Sequence, residues 1–161
     1  MKRIVPLAAL AAFIVGAIGC SRQAQPAAAF NGTWQLDTTA SQGVPAMMRG
    51  HSTVMQLTAR RNTFTIAFVF DGNPMNISKF TLDEREHVLP LGPTNGQASG
   101  RVLQGGRAVA LEIRRPAQSG ATPIEHIVFT LEPDGQTIRR VRTVPGDKAP
   151  PQVYIYRRIT G

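Results

Sequence analysis

The sequence predicts an all-β fold, a single antiparallel meander of about 8–10 short strands closing into a barrel. Three observations carry that prediction. Apolar and polar residues alternate over short runs, the period of a half-buried strand. Turn formers separate those runs, in a chain of 161 residues that holds 15 Gly and 12 Pro. No stretch keeps apolar residues at helical spacing for long enough to form a convincing helix. Consecutive strands joined by short turns make a meander, and closing it removes the free edges that invite aggregation.

The elements follow in order. Phe30–Leu36 reads as the first strand and Thr38–Gly50 as a long loop that carries Met47 and Met48. Ser52–Ala59 is the second strand, and Asn62–Phe70 the third, with Phe64, Ile66, Phe68 and Phe70 on one face. Asp71-Gly72-Asn73-Pro74 turns the chain into Met75–Leu82. Short pieces at His87–Leu89 and Gly100–Gln104 come next. Arg107–Arg115 sets Val109, Leu111 and Ile113 against Glu112 and Arg114, and Ile124–Leu131 groups Ile127, Phe129 and Leu131. Pro133-Asp134-Gly135 is a hairpin turn into Gln136–Thr143, and Val153–Ile159 is the last strand.

Adjacent strand residues point to opposite faces, so Arg139 cannot share a face with Arg140 and Arg142. An arginine facing inward needs a partner, for which Glu112 and Glu125 are the candidates. A polar interior of that kind favours a polar or anionic ligand.

Two stretches carry a resemblance. Phe30-Asn31-Gly32-Thr33-Trp34-Gln35-Leu36-Asp37 resembles the Gly-x-Trp opening of lipocalin-like barrels. It is more similar still to the Gly-Thr-Trp-x-Leu-Asp opening of small uncharacterised bacterial envelope proteins. Tyr154-Ile155-Tyr156-Arg157-Arg158 is similar to the close of the same group. The resemblance implies that Trp34 seals one barrel end while Arg157 or Arg158 stacks on it, with Arg157 the first choice. It also implies that the loop holding Met47 and Met48 lids or plugs the open mouth, where flexible apolar side chains suit a ligand entrance.

The N-terminal 19 residues read as a lipoprotein signal peptide. Lys2 and Arg3 precede an uncharged run from Ile4 to Gly19, and Ala17-Ile18-Gly19-Cys20 resembles the lipobox of bacterial lipoproteins. That resemblance implies cleavage before Cys20 and lipidation of its sulfur. Cys20 is the single cysteine, so it has no disulfide partner within the chain. Residues 20–29 then form a tether of small residues, and 30–161 the barrel domain. Ser21 after the cysteine favours the outer membrane, with the domain facing the periplasm.

The chain carries 18 basic and 10 acidic residues, a net charge of +8 weighted to its C-terminal part. Such a field suits anionic lipid or an acidic envelope partner, while nothing in the sequence matches a nucleic-acid-binding motif. His51, His87 and His126 show no metal-ligand spacing. Asp83-Glu84-Arg85-Glu86-His87 is a dense charge cluster that reads as a solvated turn. No nucleophile elbow or phosphate-binding glycine loop is present, so the sequence supports neither an enzyme nor a cofactor. The expected function is binding of a small apolar or amphipathic ligand by a membrane-anchored barrel. The alternative is a structural or interaction module of the envelope with a filled core and a basic face that includes Arg140 and Arg142.

Overall fold

A computed structural model describes residues 27–92, 94–116 and 123–159. Its ten strands are β1 (Gly32–Gln42), β2 (Thr53–Arg60), β3 (Thr63–Phe70), β4 (Asn73–Thr81) and β5 (His87–Leu91), followed by β6 (Thr94–Leu103), β7 (Ala108–Arg114), β8 (Ile124–Leu131), β9 (Thr137–Thr143) and β10 (Gln152–Ile159). They form one antiparallel sheet in the order β4-β3-β2-β1-β10-β9-β8-β7-β6-β5. Each strand thus pairs with its neighbour in sequence, and β10 pairs back on β1. The exception is β4 and β5, the two edges of a barrel that nearly closes.

Burial follows the alternation. In β8 Glu125, Ile127, Phe129 and Leu131 are buried in step, and in β2 Thr53, Met55, Leu57 and Ala59. The apolar ones among these, with Trp34, Phe64, Leu111, Ile138 and Tyr156, belong to one hydrophobic core, while Thr53 and Glu125 are buried polar residues.

Two strands run longer than the sequence predicts. β1 continues to Gln42, through Thr38–Gln42, which the sequence reads as loop. There the pairing to β10 shifts register, and the Ser41 hydroxyl donates to the Asp37 carbonyl while accepting from the Ile155 amide. Polar residues at such a bulge hide the strand from any alternation test. β6 begins at Thr94 because its inward positions are Gly96, Ala98 and Gly100, too small to register as apolar. Their smallness serves the seam. A Cβ added at Gly96 would lie 2.7 Å from Leu91 Cδ1, and one at Gly100 2.8 Å from Leu82 Cδ2. Leu82 and Leu91 therefore fill the inner side of the gap between the edge strands.

Strand direction divides the barrel into two ends. The chain enters at the lower end through a short 3-10 turn, Ala28–Phe30, and β1 rises from there. The upper end holds the β1–β2 loop (43–52), the β3–β4 turn (71–72) and the β9–β10 loop (144–151). Cys20 and most of the expected tether lie outside the described residues.

Candidate functional site

The lower end is sealed. Trp34 is fully buried, and its indole Nε1 donates to the Phe30 carbonyl at 3.0 Å. Phe30 stacks edge-on against Phe64, and Phe64 against Phe129, at centroid distances of 5.7 and 5.5 Å. The guanidinium over Trp34 belongs to Arg158, 4.1 Å from the ring centroid, and not to Arg157. The reason is parity: Trp34 pairs with Arg158 across β1 and β10, so those two share a face. Arg157 lies on the outer side, 3.5 Å from Asp37 and 2.9 Å from the Thr137 hydroxyl. Arg158 also donates to the carbonyls of Ala29, Asn31 and Gly135, binding the entry turn to the β8–β9 hairpin. Gly32 makes room for it: at φ 144° a Cβ there would meet Arg158 Nη1 at 2.7 Å.

The upper end is open. A cavity of about 300 Å³ lies between Met47, Met48, Phe68, Phe70 and Met75 on one side and Arg140, Tyr154 and Tyr156 on the other, with Thr53 at its wall. That volume sits at the lower limit of ligand pockets, roughly 300–1,000 Å³. The β1–β2 loop contributes in two ways. Val44 is buried in the core, while Met48 packs partly against it and Met47 is 76% exposed at the rim. Met75, 66% exposed, faces it from β4. The loop is held down by Asp71, whose carboxylate accepts from His51 Nδ1 at 2.6 Å and from the Ser52 amide at 2.8 Å. Those two contacts keep the Asp71 carboxyl below its ordinary pKa.

The inner face of β9 gives the cavity its charge. Ile138, Arg140 and Arg142 point inward, and Arg139 is exposed outside. The basic outer face expected of Arg140 and Arg142 is therefore absent: both belong to the interior, where a change of charge would alter the barrel and not its surface. Registers set their neighbours. Arg140 lies between Phe129 and Tyr154, and Arg142 between Ile127 and Gln152.

Arg142 is matched. Its Nε donates to Glu125 Oε2 at 3.0 Å and its Nη1 to Gln152 Oε1 at 3.1 Å, while Arg115 takes Glu125 Oε1 at 2.6 Å. Burial acts to raise the Glu125 carboxyl, but the two arginines outweigh it and hold its pKa below the ordinary value. Glu112, the other candidate partner, is outside on β7 and pairs with Arg114.

Arg140 is not matched. Its guanidinium lies 5.2 Å from the Tyr154 centroid and 5.8 Å from that of Phe129. Its Nε is shut off from solvent with no hydrogen-bond partner, and so is Thr53 Oγ1 on the cavity wall. Desolvation pushes the Arg140 pKa down, partly offset by Tyr156, Tyr154 and Glu125. Burial pushes the Tyr156 hydroxyl up to about 12, so it stays a neutral donor at any physiological pH. Buried polar groups almost always have partners. Arg140 and Thr53 line the same cavity.

The histidines do not meet. His51 pairs with Asp71, His87 with Asp83 at 2.8 Å, and His126 lies 3.8 Å from Glu112 on the outer sheet face. Asp83 also accepts from the Arg85 amide, while Glu86 pairs with Arg114 at 3.2 Å and the Glu84 amide donates to the Gly100 carbonyl, so the charge cluster is an exposed turn tied to β6 and β7. The signal that sequence reasoning missed is Thr53, an ordinary strand residue until its burial is seen.

No family model and no curated protein matches the sequence. Solved structures match the fold. A secretory abundant heat soluble protein of Ramazzottius varieornatus superposes with a TM-score of 0.60 at 17% identity, over 81% of this chain and 96% of that one. A Schistosoma mansoni fatty acid binding protein in complex with arachidonic acid gives 0.59 at 15%, over 84% and 99%. Echinococcus granulosus fatty-acid-binding protein 1 gives 0.58 at 14%, over 82% and 98%. At these identities the likeness is one of fold.

Proposed function

We propose that the chain is a non-enzymatic, membrane-anchored envelope lipoprotein whose barrel binds one amphipathic ligand with an anionic head, of the fatty-acid type. The observation that carries this reading is the half-buried Arg140 guanidinium on the inner wall of an apolar cavity, with no ion pair among the described residues and its Nε without a hydrogen-bond partner. An isolated buried charge is costly unless paired, so its retention is explained by a ligand that pairs it. The tail lies among Phe68, Phe70 and the methionines, and the head reaches Arg140 with Thr53 and the tyrosines as further hydrogen-bonding groups. Two of the structures that share the fold are named as fatty-acid-binding proteins, which agrees with this assignment.

The anchor is the second part of the proposal. Cys20, after the apolar run Ile4–Gly19, is the site of lipidation, and Ser21 directs the protein to the outer membrane with the barrel in the periplasm. Cys20→Ser releases or mislocalises the domain in fractionated cells. A Cys20→Ser protein that stays in the outer-membrane fraction after leader cleavage overturns the anchor without touching the cavity.

Native mass spectrometry of the solubilised protein tests the ligand. An acidic amphiphile co-purifies with the wild type and is lost from Arg140→Met, with affinity reduced about 10- to 100-fold, as expected for a hydrogen-bonded charge. Absence of any bound amphiphile, with no uptake of a fluorescent fatty acid, refutes the reading.

A further inference from the structure

The cavity is shallow, and its floor is visible strand by strand. Thr53 on β2 and Arg140 on β9 line it. One inward position nearer the lower end, these strands carry Met55 and Ile138, and neither side chain has any exposed surface. On β3 the inward residue beneath Phe68 is Ile66, which is buried too. Phe129, paired with Arg140 across β8 and β9, is likewise closed off from solvent. Further down, Trp34, Phe30 and Phe64 fill the lower end. The space open to a ligand is therefore the upper part of the barrel, from this floor to Met47 and Met75 at the rim. Leu82 and Leu91 fill the seam between β4 and β5, so the mouth is the way out.

The size of that space limits the tail. Its volume is about 300 Å³. A methylene in a packed chain takes up close to the share of a water molecule in the liquid, about 30 Å³, so the space accommodates roughly ten non-hydrogen atoms. Three of them belong to a carboxylate head. Arg140 is one inward position above the floor residue Ile138, so a head group on it lies innermost and the tail leads outward past Phe68 and Phe70. We propose that the cavity is built for a medium-chain anion of about eight to ten carbons, held head inward, and that longer tails gain nothing from the protein. The proposal rests on the amphipathic-ligand reading above and adds the class of tail to it. Each methylene that enters the apolar space is worth about fourfold in affinity. One that passes Met47 and Met75 stays in water and adds close to nothing. Those two side chains are themselves exposed and offer no wall on the far side.

Equilibrium dialysis of labelled straight-chain carboxylates at pH 8 decides it. The full chain in digitonin stands on one side and digitonin alone on the other, so that partition into micelles cancels. The probes are hexanoate, octanoate, decanoate, dodecanoate and hexadecanoate. From hexanoate to decanoate, affinity rises about fourfold per methylene, and from dodecanoate to hexadecanoate it changes by less than about threefold in total. Phe68→Ala enlarges the cavity from a half-buried wall position and moves the break to longer acids. A rise of about fourfold per methylene that continues to hexadecanoate overturns the proposal, as does a break that Phe68→Ala leaves in place. The wild-type series stands by itself where Phe68→Ala fails to fold. If none of the acids binds, the amphipathic-ligand reading falls, and the tail rule with it. A protein that binds them with affinity still climbing at hexadecanoate loses only the tail rule.

Discussion

The two ends of the barrel contain the same kinds of residue, aromatic rings and arginines, and use them in opposite ways. At the lower end the rings pack on one another, Trp34 donates to a carbonyl, and Arg158 donates to three more. At the upper end Phe68 and Phe70 border open space, and Arg140 has a buried Nε with no partner. The contrast teaches how one strand pair can serve stability at one end and binding at the other. β10 supplies Arg158 to the first end and Tyr154 to the second, a few residues apart. Groups with their hydrogen bonds made hold a fold together; groups left without them are available to a ligand at the cost of some stability.

Breaking the sealed end gives the largest effect. Trp34→Ala removes the largest fully buried side chain, leaves a cavity, and strips Arg158 of its cation–π partner. The expected loss is about 3–5 kcal/mol, seen as a fall in melting temperature of more than roughly 10 °C. A loss under about 1 kcal/mol would show that the lower end does not carry the fold. Arg140→Met, at the other end, leaves the melting temperature unchanged or raises it, because it replaces an unmatched buried charge with a side chain of similar length. An Arg140→Met protein as unstable as Trp34→Ala would erase the distinction between the ends.

The sequence shows the sealed end better than the open one, and the reason is physical. Alternation reports which residues share a face, so Phe64-x-Ile66-x-Phe68 and Val109-x-Leu111-x-Ile113 read directly as strands. Trp34 is visible because it is the one tryptophan, two residues after a glycine. Parity also separates Arg139 from Arg140 and Arg142, but it cannot say which set faces in. That depends on the register with Phe129 and Tyr154, which are fixed by pairing across the sheet. The same limit explains the choice of Arg157 over Arg158, one position in error. Gly96 and Gly100 hide half of β6 because a missing side chain leaves no hydrophobic mark. Thr53 is the extreme case, since its role lies wholly in what surrounds it.

Acid sharpens the comparison with a moderate effect. Glu125 has a folded-state pKa below its ordinary value, so its contribution to stability is complete above about pH 4.3 and is lost as pH falls through the folded value. Asp37, Asp71, Asp83 and Asp134 are displaced in the same direction but are surface groups. The difference in melting temperature between wild type and Glu125→Gln isolates the interior group. It is greatest near neutral pH and shrinks below pH 4.3 or so. A difference independent of pH would mean that Glu125 acts through shape and not through charge.

The smallest effect on the fold is expected at the rim. Met47 and Met75 are exposed, both line the mouth, and neither belongs to the core. Their replacement by serine changes stability by no more than about 0.5 kcal/mol, as for other surface positions. Ligand traffic is different: on the proposed reading an incoming acyl chain passes these side chains, and apolar rims shelter it from water during passage. Met47→Ser with Met75→Ser therefore slows uptake of a fluorescent fatty acid in stopped-flow measurements by several-fold while the melting curve stays in place. The His51–Asp71 contact holds the loop that carries Met47, so Asp71→Asn speeds both uptake and release without favouring either. If the rim variants instead changed equilibrium affinity as much as Arg140→Met does, the mouth would belong to the binding site proper. The boundary between entrance and site would then lie above Phe70, at the level of the β3–β4 turn.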